Sequence, residues 1–170
     1  MQPPQRGQAI GRATMERAAY SVEQMTRKDW DRTHALLAEF WGAEEARRVE
    51  ELQHPLFWLH FGSWAFVIRD DEEVVAYMVA CELPRGEERI AYSHLVSVLP
   101  SHRKQGCGRA LYAYLEERAR ARGCVAICAM TSPGNERSIA FHRALGFTAT
   151  LAEDLWRPGK SRTLFEKRLP

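Results

Sequence analysis

Long apolar runs are missing from this 170-residue chain, and none approaches the ~20 residues that a bilayer-spanning helix needs. The opening stretch, MQPPQRGQAIGRATMERAAY, has no apolar centre of the kind a secretory signal carries. It reads as a flexible extension over residues 1–18, starting at Met1 or Met15, ahead of one domain over 19–170. Charge of one sign is scarce too. Lys and Arg number 24 against 22 Asp and Glu, a net +2, and no basic run stands beside aromatic residues. That balance argues against a nucleic-acid partner. Cysteine is sparse: Cys81, Cys107, Cys124 and Cys128 form no C-x-x-C pair, and no pair of histidines lies near Cys124 and Cys128. The spacing argues against a metal site and suits reduced, mostly buried thiols of a cytoplasmic protein. Internal repeats and inter-domain linkers are absent as well.

What is present suits one domain with a real core, at 45% hydrophobic and 27% charged residues. Tyr20 to Met25 reads as a first strand. Asp29 caps or precedes an amphipathic helix carrying Trp30, Leu36, Leu37 and Phe40, and a second helix runs from Ala43 through Leu52. Pro55 then breaks the helix, leaving the aromatic stretch HPLFWLHFGSW. Ser63 to Arg69 and Val74 to Glu82 pair about the turn Asp70-Asp71-Glu72, and Ile90 to Leu99 is a central strand stopped by Pro100. A helix from Gly108 to Arg122 buries Leu111, Leu115 and Ala119, spaced at i, i+4 and i+8. Val125 to Thr131 is a short strand covered on both faces, and a helix from Glu136 to Leu145 ends at Gly146. Phe147 to Leu151 and Thr163 to Arg168 are closing strands. This order fits a mixed α/β sheet with helices on both faces.

The most informative stretch is YSHLVSVLPSHRKQGCGRALYAYLEERARARGC, a strand, a basic glycine-rich loop and a helix that begins at the loop. Free backbone N–H groups at a positive helix terminus make an anion-binding device. Gly106 and Gly108 remove side chains that would hold a diphosphate away, and Arg103 and Lys104 add charge. The dinucleotide pattern GxGxxG is absent because Leu111 stands three places after Gly108, and no GxxxxGK[ST] occurs. Instead Arg103-Lys104-Gln105-Gly106-Cys107-Gly108 resembles the [RQ]-x-x-G-x-[GA] loop of the GNAT superfamily of N-acetyltransferases. TSPGNERSIAFHRALGF resembles the second motif of that superfamily, N-x-x-[SA]-x-x-[FL]-Y-x-x-x-G-F, with Asn135, Ser138, Phe141, Gly146 and Phe147 on it. His142 departs from it, standing where tyrosine is usual. The resemblance spans roughly Ser63 to Leu169.

The resemblance implies a single α/β (α+β) domain with a mixed sheet of six or seven strands, splayed at the fourth. It implies acetyl-CoA as co-substrate, its pyrophosphate held by backbone amides from Gln105 to Ala110, a stretch that includes Arg109. Its pantetheine arm would add to the sheet against backbone groups of Val96 and Val98, with Ser138 and Phe141 nearby. Asn135 matches a residue beside that arm and also suits the N-cap of the following helix.

Transfer to an amine needs a base, because an alkylamine of pKa about 10.4 is mostly protonated at neutral pH. The strand glutamate of many superfamily members is absent between Ile90 and Leu99, but His94 is there, alternating with Val96 and Val98 and sharing a face with Tyr92. Serotonin N-acetyltransferases place a base histidine at the corresponding position. A hydrogen-bonded core histidine is the alternative. His142 either donates an N–H to the CoA sulfur, as the family tyrosine does, or merely fills its place. Cys107, although at a helix N-terminus, lies in the diphosphate loop and is not expected to carry acetyl. Tyr112 and Tyr114 read as helix packing and surface.

For the acceptor pocket the candidates are Trp41, Phe57, Trp58, His60 and Trp156, of which at most two are expected to line it. Glu39 or Glu82 could hold a cationic amine. The leading reading is an acetyl-CoA-dependent N-acetyltransferase acting on a small-molecule amine. A protein lysine or N-terminus is the alternative acceptor, and a catalytically weak acyl-CoA-binding regulatory domain is the alternative of another class. A homodimer is the default assembly for such enzymes.

Overall fold

Seven strands form one sheet in the order β1-β2-β3-β4-β5-β7-β6. They are β1 (Glu23–Gln24), β2 (Ala65–Asp70), β3 (Glu73–Arg85), β4 (Glu88–Val98), β5 (Ala126–Thr131), β6 (Thr148–Ala152) and β7 (Arg162–Arg168). The computed structural model describes residues 20–155 and 157–170. The expected extension over 1–18 and the candidate pocket residue Trp156 lie outside them.

Between β4 and β5, the one parallel pair among the described residues, three residue pairs join the strands: Ile90 with Ala126, Ala91 with Ile127 and Tyr92 with Cys128. Beyond Tyr92, β4 stays with β3 up to Val98, while β5 stays with β7 up to Thr131. The two halves of the sheet therefore part, and the edge of β4 from Ser93 onward faces a gap. This is the expected splay at the fourth strand.

Helices α5 (Cys107–Ala121) and α6 (Glu136–Ala144) cover one face of the sheet. The core there is built on Phe66, Met78, Leu111, Leu115, Ile127 and Phe165. Helices α1 (Arg27–Ala35), α2 (Leu37–Trp41), α3 (Ala43–Leu52) and α4 (Pro55–Phe61) cover the β2–β4 part of the other face. Trp30, Leu37, Phe40, Val67, Tyr77 and Leu95 are buried there. Among the described residues no helix is long and apolar enough to cross a membrane.

The N-terminal part departs from expectation in three places. The first strand shrinks to two residues. Thr26, not Asp29, caps α1: its hydroxyl accepts from the Asp29 amide, while the Asp29 carboxylate accepts from the Thr26 amide at 2.8 Å. Arg69 also binds that carboxylate, at 2.7 Å, so Asp29 belongs to a reciprocal box instead of a cap. The helix ahead of Pro55 ends at Leu52 as expected, but Pro55 also opens a further one. It sits at the first position of α4, where a missing N–H costs nothing, and the His54 ring accepts from the Leu56 amide at 3.2 Å.

Candidate active site

Past β4 the chain makes a tight turn at Pro100–His102 and enters the glycine loop. Lys104 has φ 59 and Gly106 φ 99, and Gly106 is the N-cap of α5 with no side chain to serve the helix amides. The first backbone bond of the helix runs from Ala110 N–H to Gly106 O at 2.9 Å. Among the described residues no acceptor meets the amides of Gly106, Cys107, Gly108 or Arg109. Four donors at a positive helix end, with Lys104 and Arg109 exposed beside them, could hold an anion.

The two glycines have different causes. Gly106 is required by its left-handed backbone. At Gly108 a Cβ would lie 2.9 Å from Cζ of Phe141, so its bare backbone is what lets the α6 ring close on α5. Arg103 was expected to add charge to the loop mouth. Its guanidinium instead donates to the carbonyls of Val98 and Phe40, both at 3.0 Å, which ties the loop to β4 and α2. Burial, reinforced by repulsion from Arg137, pulls its pKa down. The Gln105 side chain donates to Ser101 O at 2.8 Å and accepts from the Tyr20 hydroxyl at 3.2 Å. The Cys107 thiol is buried and 3.7 Å from His102 O, facing inward.

On β4 the strand period breaks. Ala80 of β3 pairs with Ser93 and Val79 with Leu95, so His94 is the extra residue of a β-bulge. A bulge shifts the alternation by one, which corrects the expectation that His94 shares a face with Val96 and Val98. Val96 and Val98 pack on the α5 side. His94 stacks on Phe57 of α4 instead, with ring centres 4.0 Å apart and planes 8° from parallel, and Tyr92 remains its neighbour at 6.4 Å. His94 Nε2 lies 2.9 Å from Leu52 O. A carbonyl only accepts, so Nε2 carries the hydrogen and Nδ1 is left with a lone pair that no described residue uses. Burial lowers the His94 pKa, with the bond to Leu52 pulling weakly the other way, so the ring is neutral at neutral pH.

His142 sits deeper, at 4% exposure. Nδ1 is 2.8 Å from Ser138 O and Nε2 2.7 Å from the Tyr112 hydroxyl. With both nitrogens engaged inside the protein, it is not placed to meet a sulfur directly. Asn135 caps α6, accepting from the Ser138 amide at 3.1 Å while donating to Thr131 Oγ1 at 3.1 Å. The N-cap role is thus observed.

Of the pocket candidates, Phe57 stands beside His94. Trp41 is occupied by the Tyr77 hydroxyl at 2.8 Å, and Trp58 packs on Trp30 at 5.9 Å. His60 lines a separate cavity of about 390 Å³ with Trp64, Arg89 and Arg122. Glu82 is held there by Arg89 at 3.2 Å and Arg122 at 3.1 Å, and Glu39 is an exposed residue of α2. Sequence reading missed the Tyr112 hydroxyl, which is buried between Ser93 and His142. The signal was available: Tyr112, Leu115 and Ala119 stand at i, i+3 and i+7 on the inward stripe of α5, and an inward tyrosine needs a partner.

The sequence profile of the acetyltransferase (GNAT) family matches residues 28–147, which take in the glycine loop, the splayed β4 and the Asn135–Phe147 segment. The chain belongs to the GNAT family of acetyltransferases. No protein of curated function matches this GNAT chain in sequence. Among solved structures it is similar to a protein assigned to the GNAT acetyltransferases from Desulfovibrio desulfuricans, at 20% identity and TM-score 0.73, covering 89% of this chain and 100% of that one. It is similar also to a ribosomal-protein-alanine N-acetyltransferase from Brucella melitensis, at 23% identity and TM-score 0.61, over 88% and 99% of the two chains. An aminoglycoside 6'-N-acetyltransferase complexed with coenzyme A is similar at 20% identity and TM-score 0.63, over 88% and 98%. Like its family, this GNAT chain is an acyltransferase enzyme.

Proposed function

We propose that this enzyme moves an acetyl group from acetyl-CoA directly to a primary amine of a small molecule, with His94 as the base. The observation that carries this reading is the His94 ring: Leu52 O holds its hydrogen on Nε2, and no described residue uses Nδ1 of the neutral imidazole. The pyrophosphate would sit on the amides of Gly106 to Arg109, each charged hydrogen bond contributing about 1.5–3 kcal/mol. The pantetheine arm would lie along the free edge of β4 from Ser93 to Val98, placing the thioester near the point where β4 and β5 part.

The amine nitrogen attacks the thioester carbonyl, the C–S bond breaks, and the amine proton passes to His94 Nδ1, directly or through water. The thiolate of CoA leaves without a dedicated acid, which a thiol of pKa about 8.5 tolerates. The acceptor would carry an apolar body. Helix α4 is rich in apolar and aromatic residues yet fully buries none of them, with Leu56 46% and Leu59 71% exposed, and its Phe57 covers the base.

The test is CoA release from acetyl-CoA against a broad panel of amines for wild type and His94→Ala. Turnover with alkyl or aryl amines, lowered roughly 100- to 10,000-fold in the variant, supports the reading. Turnover confined to peptides would move it to a protein acceptor, and tight acetyl-CoA binding without any turnover would move it to a binding domain.

A further inference from the structure

Between α5, α6 and β4 runs a buried line of hydrogen bonds that the proposed transfer leaves unused. The His142 ring stacks on Phe165 with centres 4.0 Å apart, and Tyr112 beside it is 1% exposed. His142 Nδ1 lies 2.8 Å from Ser138 O, which can only accept, so Nδ1 carries a hydrogen. His142 Nε2 is 2.7 Å from Tyr112 Oη, and the Tyr112 and Ser93 hydroxyls are 3.1 Å apart.

Tyr112 has a single hydrogen to give. If the imidazole is neutral, Nε2 is a lone pair and takes that hydrogen, so Ser93 must donate to Tyr112. If the imidazole is charged, the whole order reverses. Burial holds the His142 pKa below its ordinary value, which selects the neutral order. Ser93, at 4% exposure, then turns its hydrogen toward Tyr112 and keeps its oxygen lone pairs for a further donor. Its place in the chain gives this weight. Ser93 follows Tyr92, the last β4 residue paired with β5, and precedes the bulged His94.

Building on the acyl-CoA reading above, we propose that Ser93, Tyr112 and His142 form a positioning line whose outer end accepts a hydrogen bond from an amide N–H of the CoA arm. His142 fixes Tyr112, Tyr112 fixes Ser93, and the arm is registered where the strands part. His142 thus acts two residues removed from the ligand.

The line is tested by nitrogen NMR of histidine-labelled enzyme titrated with CoA, together with the acetyl-CoA KM of Tyr112→Phe and Ser93→Ala. The expected result is that CoA shifts the His142 Nε2 resonance in wild type and leaves it unmoved in Ser93→Ala. Both variants should raise the acetyl-CoA KM about tenfold, the loss of one hydrogen bond, with the acceptor KM unchanged. A His142 resonance unmoved by bound CoA overturns the line, and so does an acetyl-CoA KM in Ser93→Ala within about twofold of wild type. Wild type that binds no CoA in a calorimetric titration overturns the donor reading on which the line rests. Should Tyr112→Phe fail to fold, Ser93→Ala and the wild-type titration decide alone.

Discussion

His94 and Gly108 show how much a single position can settle. For His94, burial favours the neutral ring, so the proposed base would stay competent as pH falls to the ordinary histidine value of 6.5 and would be lost only below it. The acid limb of kcat/KM should therefore lie below 6.5 in wild type and be absent from the residual activity of His94→Gln. A limb above 6.5 would assign it to another group. At Gly108 an added methyl meets the Phe141 ring at 2.9 Å. Gly108→Ala should cost about 1–3 kcal/mol of stability in a urea titration, and Phe141→Leu in the same chain should restore part of it. The residue types of this site were legible in the sequence, since the glycine loop and the Asn135–Phe147 segment are contiguous. Their partners were not. Leu52 O on His94, Phe40 O on Arg103 and Tyr112 on His142 lie 42, 63 and 30 residues away, and no local pattern encodes such meetings.

At the scale of elements, β4 carries the chief departure from a period-two reading. Alternating burial along Tyr92–Val98 looks regular in sequence, but the bulge at His94 puts two successive residues on the helix side, where Leu95 is buried and His94 meets Phe57. The extra residue of a bulge has no signature of its own, so strand position was readable and face was not. The N-terminal helices were read two too few. Leu36 interrupts what the apolar spacing presents as one helix, and Pro55, beyond the end of α3 at Leu52, also starts a further helix. The capping box makes α1 testable. Thr26→Ala should lower stability by about 1 kcal/mol, measured by denaturant midpoint, without changing the acetyl-CoA KM. A larger loss is expected for Arg69→Ala, which strips the nearly buried Asp29 carboxylate of its cation.

At the scale of the whole molecule, buried His142 and half-buried His94 couple folding to pH. Both His94 and His142 have pKa values lowered by burial, so below 6.5 the unfolded chain binds more protons than the folded one. Stability should therefore fall as pH drops from roughly 7 to 5, and His142→Phe should flatten part of that slope even though its absolute Tm is lower. A slope unchanged in this variant would place the linkage elsewhere. The sheet order has a consequence in time. β7 lies between β5 and β6, so β5 acquires its antiparallel neighbour, and β6 its sole neighbour, only when the last of the seven strands is available. On the ribosome the β1–β4 half can close early. The half that forms the other wall of the gap must wait for Arg162–Arg168 to emerge, and until then a nascent chain has one wall of the gap without the other.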